Sequence, residues 1–265
     1  MDFGPPLLGR TALVTGASRR AGIGFAVARR LAAFGAGVFL HHHVPHDRDQ
    51  PWGADPDGPE AIARDVAAAR TDPAAAVAHL GMDLAAPDAP AALIAAATDR
   101  LGHLDILVAN HARSGGDGPL GTLTAGMLDA HWAVNARSTL LLAQAFAARH
   151  DGRTGGRVIL MTSGQNLGPM TDEIAYAASK GALAAVVQSL ADHLTGANIT
   201  VNAVNPGPVD TGYAAPGAHA AVAARFPRGR CATPEDAARL ITWLATDDAA
   251  WITGQTLNSE GGFRH

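Results

Sequence analysis

Short apolar runs alternate with longer amphipathic segments along this chain of 265 residues. Runs bounded by glycine are typical of strands buried on both faces, and apolar residues three or four positions apart are typical of helices. The pattern predicts strands at residues 11–15, 37–40, 75–80, 105–109, 157–161, 199–204 and 255–258. It predicts helices at residues 25–34, 60–70, 91–101, 128–150 and 174–194, and a capped helix that begins at Pro234.

Alternating strands and helices predict parallel β–α–β units with right-handed crossovers. The expected fold class is α/β, with a single doubly wound Rossmann-type parallel sheet flanked by helices on both faces. No change of composition marks a linker, so we expect one domain over residues 1–265. The segment from His41 to Pro59 is rich in Pro, Asp, His and Gly and is predicted to be a long loop, longer than strand–helix connections usually are.

The composition excludes several classes of protein. Hydrophobic residues make up 48% of the chain and charged residues 17%, which excludes a disordered protein. The net charge of -4 gives no basic field for nucleic acid or an anionic membrane. The single cysteine, Cys231, excludes an internal disulfide. No apolar run is long enough to span a membrane and the first residues do not resemble a signal peptide, so we expect a soluble, cytoplasmic protein.

A glycine-rich segment from Gly16 to Gly24 follows the first strand and opens the first helix. Glycines at such a turn allow positive φ and let a diphosphate approach backbone N–H groups. The helix N-terminus adds a partial positive charge. The segment therefore indicates a dinucleotide site, although a tight turn without a ligand has the same local pattern.

The end of the second strand bears on which dinucleotide binds. An acidic residue about 20 residues beyond the glycine loop typically holds the ribose 2′-hydroxyl of NAD. Here the strand ends in three histidines that begin at His41, the first acid is Asp47, and Arg19 and Arg20 lie in the glycine loop. We therefore expect NADP(H) in preference to NAD(H). The histidines either contact the adenosine or lie in a solvated loop, and no metal site is expected because consecutive strand positions diverge.

The only lysine of the chain, Lys180, follows Tyr176 by four positions in a predicted helix. Residues four apart share a helix face, so the phenol and the ammonium can point into one site. A nearby cation lowers the pKa of a phenol, which can then give or take a proton at a carbonyl or alcohol oxygen. Ser163 follows a predicted strand, where ligands bind in open α/β sheets, and can hydrogen-bond the same oxygen.

Together these motifs resemble those of the short-chain dehydrogenase/reductase family, classical type, over nearly the whole chain. The glycine loop is similar to the family's Thr-Gly-x3-Gly-x-Gly, and Tyr176 with Lys180 is similar to its Tyr-x3-Lys. Ser163 stands 13 residues before the tyrosine, as in the family pattern. Further matches are Asn135 in the fourth helix, Asp83-Leu84, Asn110, and Asn205-Pro206-Gly207 after the sixth strand.

The resemblance implies catalytic roles for four residues. Tyr176 would be the proton donor in reduction and the base in oxidation. Lys180 would lower the pKa of Tyr176 and bind the nicotinamide ribose. Ser163 would polarise the substrate carbonyl, and Asn135 would hold a water molecule in a proton relay to Lys180.

The glycine loop and the resemblance together give the expected contacts with the cofactor. They are Gly16, Ser18, Arg19, Arg20, Gly22, Ile23, Gly24, His41, Asp83, Leu84, Asn110, Tyr176, Lys180, Pro206, Gly207, Val209 and Thr211. Two departures from the family pattern affect this set. Five residues separate Gly16 from Gly22 where the motif has three, and the family's Asn-Ala-Gly is here Asn110-His111-Ala112. His111 is either a satisfied, partly buried histidine or a contact with substrate or cofactor.

The expected activity is that of an NAD(P)H-dependent oxidoreductase that reduces a carbonyl to an alcohol, most like the 3-oxoacyl-[acyl-carrier-protein] reductases. One alternative is an alcohol or sugar dehydrogenase that acts in the oxidative direction. The other is a non-catalytic homologue that senses nucleotide. An enoyl reductase is less expected, because the relatives of that type space the pair as Tyr-x6-Lys.

The substrate side is less constrained by the sequence. A lid-like segment at about residues 207–230 is expected to cover the site, with substrate contacts at His111, Gln165 and Tyr213. Phe226 is a further candidate for the wall, and Arg225, Arg228 and Arg230 face either an anionic carrier or solvent. The expected partner is a small carbonyl, alcohol or acyl-thioester molecule. The resemblance also implies a homotetramer.

Overall fold

A computed structural model of the chain describes residues 4–213 and 218–265. Part of the expected lid, including Pro216 and Gly217, lies outside the described residues. The described strands are β1 Thr11–Val14, β2 Gly37–His42, β3 Val77–Gly81, β4 Ile106–Ala109, β5 Gly156–Met161, β6 Ile199–Asn205 and β7 Thr256–Asn258. They form one parallel sheet in the order β3-β2-β1-β4-β5-β6-β7. This confirms the predicted doubly wound α/β fold.

Helices cover both faces of the sheet. They are α1 Ile23–Ala33, α2 Val44–Arg48, α3 Gly58–Ala68, α4 Ala89–Leu101, α5 Ala125–His131, α6 Ser138–Arg149, α7 Ile174–Thr195, α8 Ala218–Ala224 and α9 Pro234–Ala245. A π-helical segment, Trp132–Arg137, joins α5 to α6. The strand order reverses at β1 and β4, and a crevice for a ligand opens at the carboxyl ends of strands at such a point.

The core has two apolar clusters, one on each face of the sheet. Leu13 and Phe39 belong to one cluster, whereas their chain neighbours Val14 and Leu40 belong to the other. Successive strand residues point to opposite faces, so a strand covered on both sides needs an unbroken apolar run. This is why the short runs in the sequence predicted the strands.

Three local features differ from the prediction. The segment predicted as a loop after residue 40 continues β2 to His42 and then forms the short helix α2, which has Pro45 in its first turn. The helix predicted at residues 128–150 begins at Ala125 and is interrupted by the π-helical segment. The lid contains helix α8, which lacks a strong apolar pattern. The predicted start of α9 is confirmed, because Thr233 and Asp236 form a reciprocal capping box.

Among the described residues, one helix, α7, is long and apolar enough by length and composition to cross a membrane. Core helices of folded proteins also have these properties. The buried positions of α7 include Lys180, Leu183 and Val187, and the helix packs against β6. These contacts identify α7 as a core helix of the sheet.

Candidate active site

The carboxyl ends of the central strands open into one continuous cleft of about 1050 Å³. Gly16, Ser18 and Ile23 from the glycine loop line one part of it, and Ser163 and Tyr176 line another. The glycine loop and the Tyr/Lys pair, which are far apart in sequence, therefore face the same space.

The glycine loop fits the diphosphate of a dinucleotide. Gly16 has a φ of 70°, and a Cβ there would lie 2.7 Å from the Cα atom of His111. A Cβ at Gly24 would lie 2.5 Å from the carbonyl oxygen of Gly16. Helix α1 follows Gly22 without a side-chain cap, so the N–H groups of its first turn are available to an anion.

Asn110 fixes this loop against the end of β4. Its Nδ2 atom donates hydrogen bonds to the carbonyl oxygens of Thr15 at 2.9 Å and Gly16 at 3.1 Å. The hydroxyl of Thr15 in turn accepts from the backbone N–H of Asn110 at 3.0 Å. The ends of β1 and β4 are thereby joined at the point where the strand order reverses.

The structure corrects the expected role of Arg20. This side chain does not line the cleft; it forms ion pairs with Asp55, with Asp57 at 3.0 Å and with Asp65 at 2.6 Å. Its backbone N–H also donates to Asp55 at 3.0 Å. Three carboxylates therefore hold the Arg20 side chain outside the cleft.

Arg19, in contrast, lines the cleft. Its guanidinium donates to the carbonyl oxygen of Thr211 at 2.6 Å and lies 5.7 Å from the centroid of the Trp52 ring. Trp52 packs edge-on against Tyr213, with 6.0 Å between the ring centroids. The connection after β2 and the segment after β6 thus meet at Arg19.

His41 lines the cleft but has protein partners at both ring nitrogens. Its Nδ1 atom accepts from the N–H of Gly16 at 3.3 Å, and Nε2 donates to the carbonyl oxygen of Met82 at 2.9 Å. Burial lowers the pKa of His41 to about 4, with smaller contributions from its neighbours. His41 is therefore a neutral link between β2, β3 and the glycine loop at the wall of the cleft.

The connection after β2 brings both a histidine and carboxylates to the cleft. The backbone N–H of His43 donates to the hydroxyl of Ser18 at 3.2 Å, and the His43 side chain lines the cleft. Asp47 and Asp49 line it as well, and Asp47 accepts from the indole Nε1 of Trp52 at 3.3 Å. Two carboxylates therefore lie at this end of the cleft, although the first of them follows the strand by five residues, because α2 folds back over the cleft.

Tyr176 and Lys180 lie one turn apart on α7 and both line the cleft. The Nζ atom of Lys180 donates to the carbonyl oxygen of Met161 at 2.7 Å and lies 5.7 Å from the centroid of the Tyr176 ring. Burial lowers the pKa of Lys180 to about 8.

The pKa of Tyr176 is raised, mainly by burial and also by Tyr213 and Glu173, while a hydrogen bond with Ser163 acts in the opposite direction. This differs from the expectation that Lys180 lowers the pKa. The physical reason is that the ammonium is bound to the Met161 carbonyl, whereas burial of the phenol dominates.

Asn135 lies in the π-helical segment and is completely buried. Its Oδ1 atom accepts from the N–H of Arg113 at 2.6 Å, and its Nδ2 atom donates to the hydroxyl of Ser179 at 2.9 Å. Ser179 donates to the carbonyl oxygen of Tyr176 at 2.7 Å. The Asn135 side chain therefore supports the first turns of α7 and does not line the cleft.

His111 connects the end of β1 to the π-helical segment. Its Nδ1 atom lies 2.7 Å from the hydroxyl of Thr15, and Nε2 lies 3.0 Å from the carbonyl oxygen of Val134 and 2.7 Å from the hydroxyl of Ser138. Burial, assisted by the neighbouring His41 and by the charge of Lys180, holds its pKa well below the usual value. His111 is a satisfied, buried histidine with its polar atoms turned to the protein.

Comparisons with known proteins agree with this geometry. Residues 16–264 match the family model described as enoyl-(acyl carrier protein) reductase, one of the short-chain dehydrogenase models. The uncharacterized oxidoreductase YjdA of Bacillus subtilis (strain 168) is 41% identical over 256 residues, which cover 96% of each chain. The chain belongs to the short-chain dehydrogenase/reductase family.

Two further members of this family have more specific descriptions. The putative ketoacyl reductase of the monensin polyketide synthase from Streptomyces virginiae is 36% identical over 273 residues, which cover 96% of each chain. The solved structure of the angucycline C-6 ketoreductase LanV with bound NADP is 31% identical, with a TM-score of 0.83. That match covers 98% of this chain and 97% of the other. The protein is thus an oxidoreductase of this family.

Most residues expected from the short-chain dehydrogenase pattern line the cleft. They are Gly16, Ser18, Arg19, Gly22, Ile23, His41, Asp83, Leu84, Asn110, His111, Ser163, Tyr176, Lys180, Pro206, Gly207, Val209, Thr211 and Tyr213. Arg20, Gly24, Asn135 and Gln165 do not line it. The carboxamide oxygen of Gln165 accepts from the N–H of Ser163 at 3.1 Å, so this side chain is bound to the turn that it belongs to.

The structure places the candidate side chains of the lid in different environments. Phe226 is buried and packs against Phe263, with 4.9 Å between the ring centroids and an angle of 51° between the ring planes. Arg225 lines the cleft, with its guanidinium 4.4 Å from the centroid of the Phe263 ring. Arg230 pairs with Asp236 at 2.7 Å, so this arginine is already neutralised.

Several residues at or beside the cleft were missed in the sequence, and three of them make defined contacts there. Asp117 binds the first turn of α7, and Glu260 and His265 line the cleft near Ser163. None lies in a motif or at a characteristic spacing from one. Only the fold brings them to this family's site.

Proposed function

We propose that this short-chain dehydrogenase/reductase reduces a carbonyl compound to an alcohol, with Tyr176 as the proton donor. The observation that carries the proposal is the placement of Ser163, Tyr176 and Lys180 in the same cleft as the glycine loop. Bound NADPH supplies the hydride in such a reaction. The residues of the chain bind and orient the carbonyl and supply one proton.

Ser163 and Tyr176 bind the substrate oxygen in this proposal. Ser163 and Tyr176 both line the cleft, so a carbonyl oxygen bound there can accept from both hydroxyls. Burial raises the pKa of Tyr176, so the phenol keeps its proton at neutral pH and can donate it to the substrate oxygen during reduction. Lys180 binds the nicotinamide ribose, and the backbone carbonyl of Asn135 holds the water that links Lys180 to solvent.

We further propose that NADP(H) is preferred over NAD(H). Arg19 and His43 line the end of the cleft next to the glycine loop, where an additional phosphate needs cationic and hydrogen-bonding partners. Asp47 and Asp49 oppose that phosphate electrostatically, although Asp47 is partly engaged by Trp52. The related LanV structure holds NADP, which supports the same preference.

The proposed substrate is a 3-oxoacyl thioester or a similar ketone. Two relatives carry the description of a ketoacyl reductase or ketoreductase, which supports carbonyl reduction over oxidation of an alcohol or sugar. The spacing of Tyr176 and Lys180 supports carbonyl reduction over reduction of a carbon–carbon double bond. We also propose that the protein is cytoplasmic and that residues 1–265 form a single domain.

The first experiment is a fluorescence titration of the purified protein with NADPH and NADH, followed by turnover of a panel. The panel contains β-ketoacyl thioesters, simple ketones, a crotonyl thioester, and alcohols and sugars with NADP⁺. Tight binding of NADPH with turnover of ketones or ketoacyl thioesters supports the proposal. Turnover of alcohols or sugars alone would show that the enzyme acts in the oxidative direction. Turnover of the crotonyl thioester alone would contradict the proposal. Binding without any turnover would favour a nucleotide sensor.

We also propose a homotetramer. Large apolar side chains are exposed before and along α5 and the π-helical segment: Leu120 is 80% exposed, Leu128 41% and Trp132 48%. Large apolar side chains exposed on a surface are frequently covered at subunit interfaces. Light scattering at micromolar concentration tests this, and a monomer there contradicts it.

A further inference from the structure

Glu260 and His265 form a hydrogen-bonded pair at the cleft, near the loop that follows Ser163. The buried carboxylate of Glu260 accepts from Nδ2 of Asn205 at 2.8 Å and from Nε2 of His265 at 2.9 Å. Asn205 precedes the Pro206-Gly207 turn at the end of β6, and its Oδ1 atom accepts from the N–H of Gly207 at 3.0 Å. A continuous polar chain therefore connects the expected nicotinamide side of the cleft to the His265 ring.

Packing fixes the position of the His265 ring. The ring lies edge-on to Phe263, with 5.1 Å between the centroids. On the other side are Gly164 and Gly168, which flank the short turn after Ser163. A Cβ at Gly164 would lie 2.8 Å from Cε1 of His265, and a Cβ at Gly168 would lie 2.7 Å from its Cβ. Glycine at these two positions leaves the space that the histidine occupies.

The two ring nitrogens of His265 have different hydrogen-bonding roles. In the tautomer that carries its proton on Nε2 and donates it to Glu260, Nδ1 of His265 is a hydrogen-bond acceptor. Within the described part of the chain, no side chain or backbone group hydrogen-bonds to that Nδ1 atom. The neighbouring wall is formed by Phe263 and by the aliphatic and guanidinium groups of Arg225, whose Nε is bound to the carbonyl oxygen of Arg264 at 2.7 Å. An aromatic wall with one fixed acceptor suits a ring or chain that carries a hydroxyl group.

We infer that His265, held by Glu260, is a substrate-binding residue that selects ketones with a hydroxyl group remote from the reacting carbonyl. The hydroxyl donates to Nδ1 of His265 while the carbonyl oxygen lies between Ser163 and Tyr176. Glu260 is a positioning residue, because it fixes the ring tautomer and orientation without contacting the substrate. The inference rests on the proposed carbonyl reduction and adds a substrate class to it.

The test compares cyclohexanone with its 2-, 3- and 4-hydroxy derivatives as substrates for the wild type and four variants. His265→Phe keeps an aromatic ring but removes the acceptor. Gly168→Ala reaches the same histidine from the other side, by placing a methyl group where the His265 ring packs. Glu260→Gln keeps the side-chain shape and weakens the orientation. His193→Phe, at an exposed histidine of α7 that does not line the cleft, is the matched control.

The wild type is expected to prefer one hydroxylated isomer over cyclohexanone in kcat/KM. His265→Phe and Gly168→Ala should each reduce that preference about tenfold, the size of one hydrogen bond, and mainly through KM. Glu260→Gln should reduce it less. His193→Phe should match the wild type throughout, and the loss in His265→Phe should fall more heavily on the preferred hydroxylated ketone than on cyclohexanone.

Equal losses on all four ketones, or no loss of preference in His265→Phe, would overturn the inference. If the wild type reduces none of the ketones with either cofactor, the proposed function fails separately. In that case saturation-transfer NMR of the same ketones with the NADP⁺-loaded protein decides the inference. A signal for a hydroxylated ketone that disappears in His265→Phe supports it, and a signal that persists, or no difference between the ketones, contradicts it.

Discussion

The carboxylate of Asp117 accepts a hydrogen bond from the backbone N–H of Tyr176 at 2.7 Å. It also accepts from the N–H of Ala175 at 3.0 Å, so a side chain from a distant loop satisfies two otherwise free donors in the first turn of α7. Burial raises the pKa of Asp117, but the backbone N–H groups of Tyr176, Gly118 and Ala175, together with His131, outweigh it and hold the pKa below its usual value. The helix that carries the proposed proton donor is thereby fixed to the loop after β4.

Removal of this carboxylate should affect both stability and activity. We expect Asp117→Ala to lower the free energy of unfolding by about 1–2 kcal/mol, as the loss of a helix cap does, and to lower kcat because Tyr176 loses its anchor. Asp117→Asn keeps one acceptor oxygen and should lie between the alanine variant and the wild type. Urea unfolding and steady-state kinetics measure the two effects. Asp129→Asn, at an exposed carboxylate of α5, is the control, and equal behaviour of the two Asn variants would contradict the prediction.

Tyr176→Phe should separate chemistry from binding. The change removes the phenolic proton and keeps the ring, so turnover should fall by about 10²–10⁴ while the Kd for NADPH stays nearly unchanged. Lys180→Ala should weaken both, because Lys180 lies beneath the Tyr176 ring and is proposed to bind the ribose. Turnover assays and fluorescence titrations provide the comparison. Equal losses of cofactor affinity in the two variants would show that the two roles are assigned incorrectly.

Lys180 should titrate well below an ordinary lysine. Burial lowers its pKa to about 8, so the amine loses its proton in a range where an exposed lysine keeps it. Because the chain has one lysine, a protein labelled with ¹³C-lysine gives a single Cε signal that needs no assignment. The signal should shift with a midpoint near pH 8. A midpoint near the ordinary value for lysine would refute the prediction.

His41 should make the protein sensitive to acid. Its pKa is about 4 when folded, below the usual value of about 6.5, so the unfolded chain binds more protons between these two pH values. The contribution of the neutral His41 to the free energy of unfolding is therefore at its full value above pH 6.5. It falls by about 3 kcal/mol as the pH drops to 4. Unfolding by urea at several pH values measures the slope. His41→Gln should flatten it whereas His193→Phe should not, and equal slopes in all three proteins would contradict the assignment.

The two arginines of the glycine loop should differ in their effects on the cofactor. Arg19→Ala should raise the Kd for NADPH at least tenfold relative to that for NADH, because it removes a cation that lines the cleft. Arg20→Ala should leave the ratio of the two Kd values unchanged, since three carboxylates already bind that side chain. Paired titrations with both cofactors give the ratios. A larger change in the ratio for Arg20→Ala than for Arg19→Ala would reverse the assignment.

The architecture and the reactive pair were predictable because local patterns determine them. Buried parallel strands require apolar runs such as residues 105–109, and helix geometry alone places Tyr176 and Lys180 on one face. The glycine loop was predictable for the same reason, since a positive φ and close backbone approach at Gly16 require glycine.

The remaining features depend on neighbours that are distant in sequence. The outward turn of Arg20 depends on Asp55 and Asp65, which no spacing rule connects to the loop. The ring of His111, which follows β4, hydrogen-bonds to the carbonyl oxygen of Val134 in the π-helical segment. Asp117 likewise reaches Tyr176 across 59 positions of the chain. Local propensity carries no information about such pairings.

The ion pairs and hydrogen bonds of Arg20 link the enlarged glycine loop to the long connection after β2. The two segments can therefore be exchanged only together. Asp55 is only 6% exposed, and Arg20 supplies both its ion pair and a backbone donor. A chimaera that received the shorter glycine loop of a relative would leave the buried carboxylate of Asp55 without a counter-charge. This would lower the stability of the protein. Engineering of cofactor preference in this enzyme therefore has to transplant both segments together.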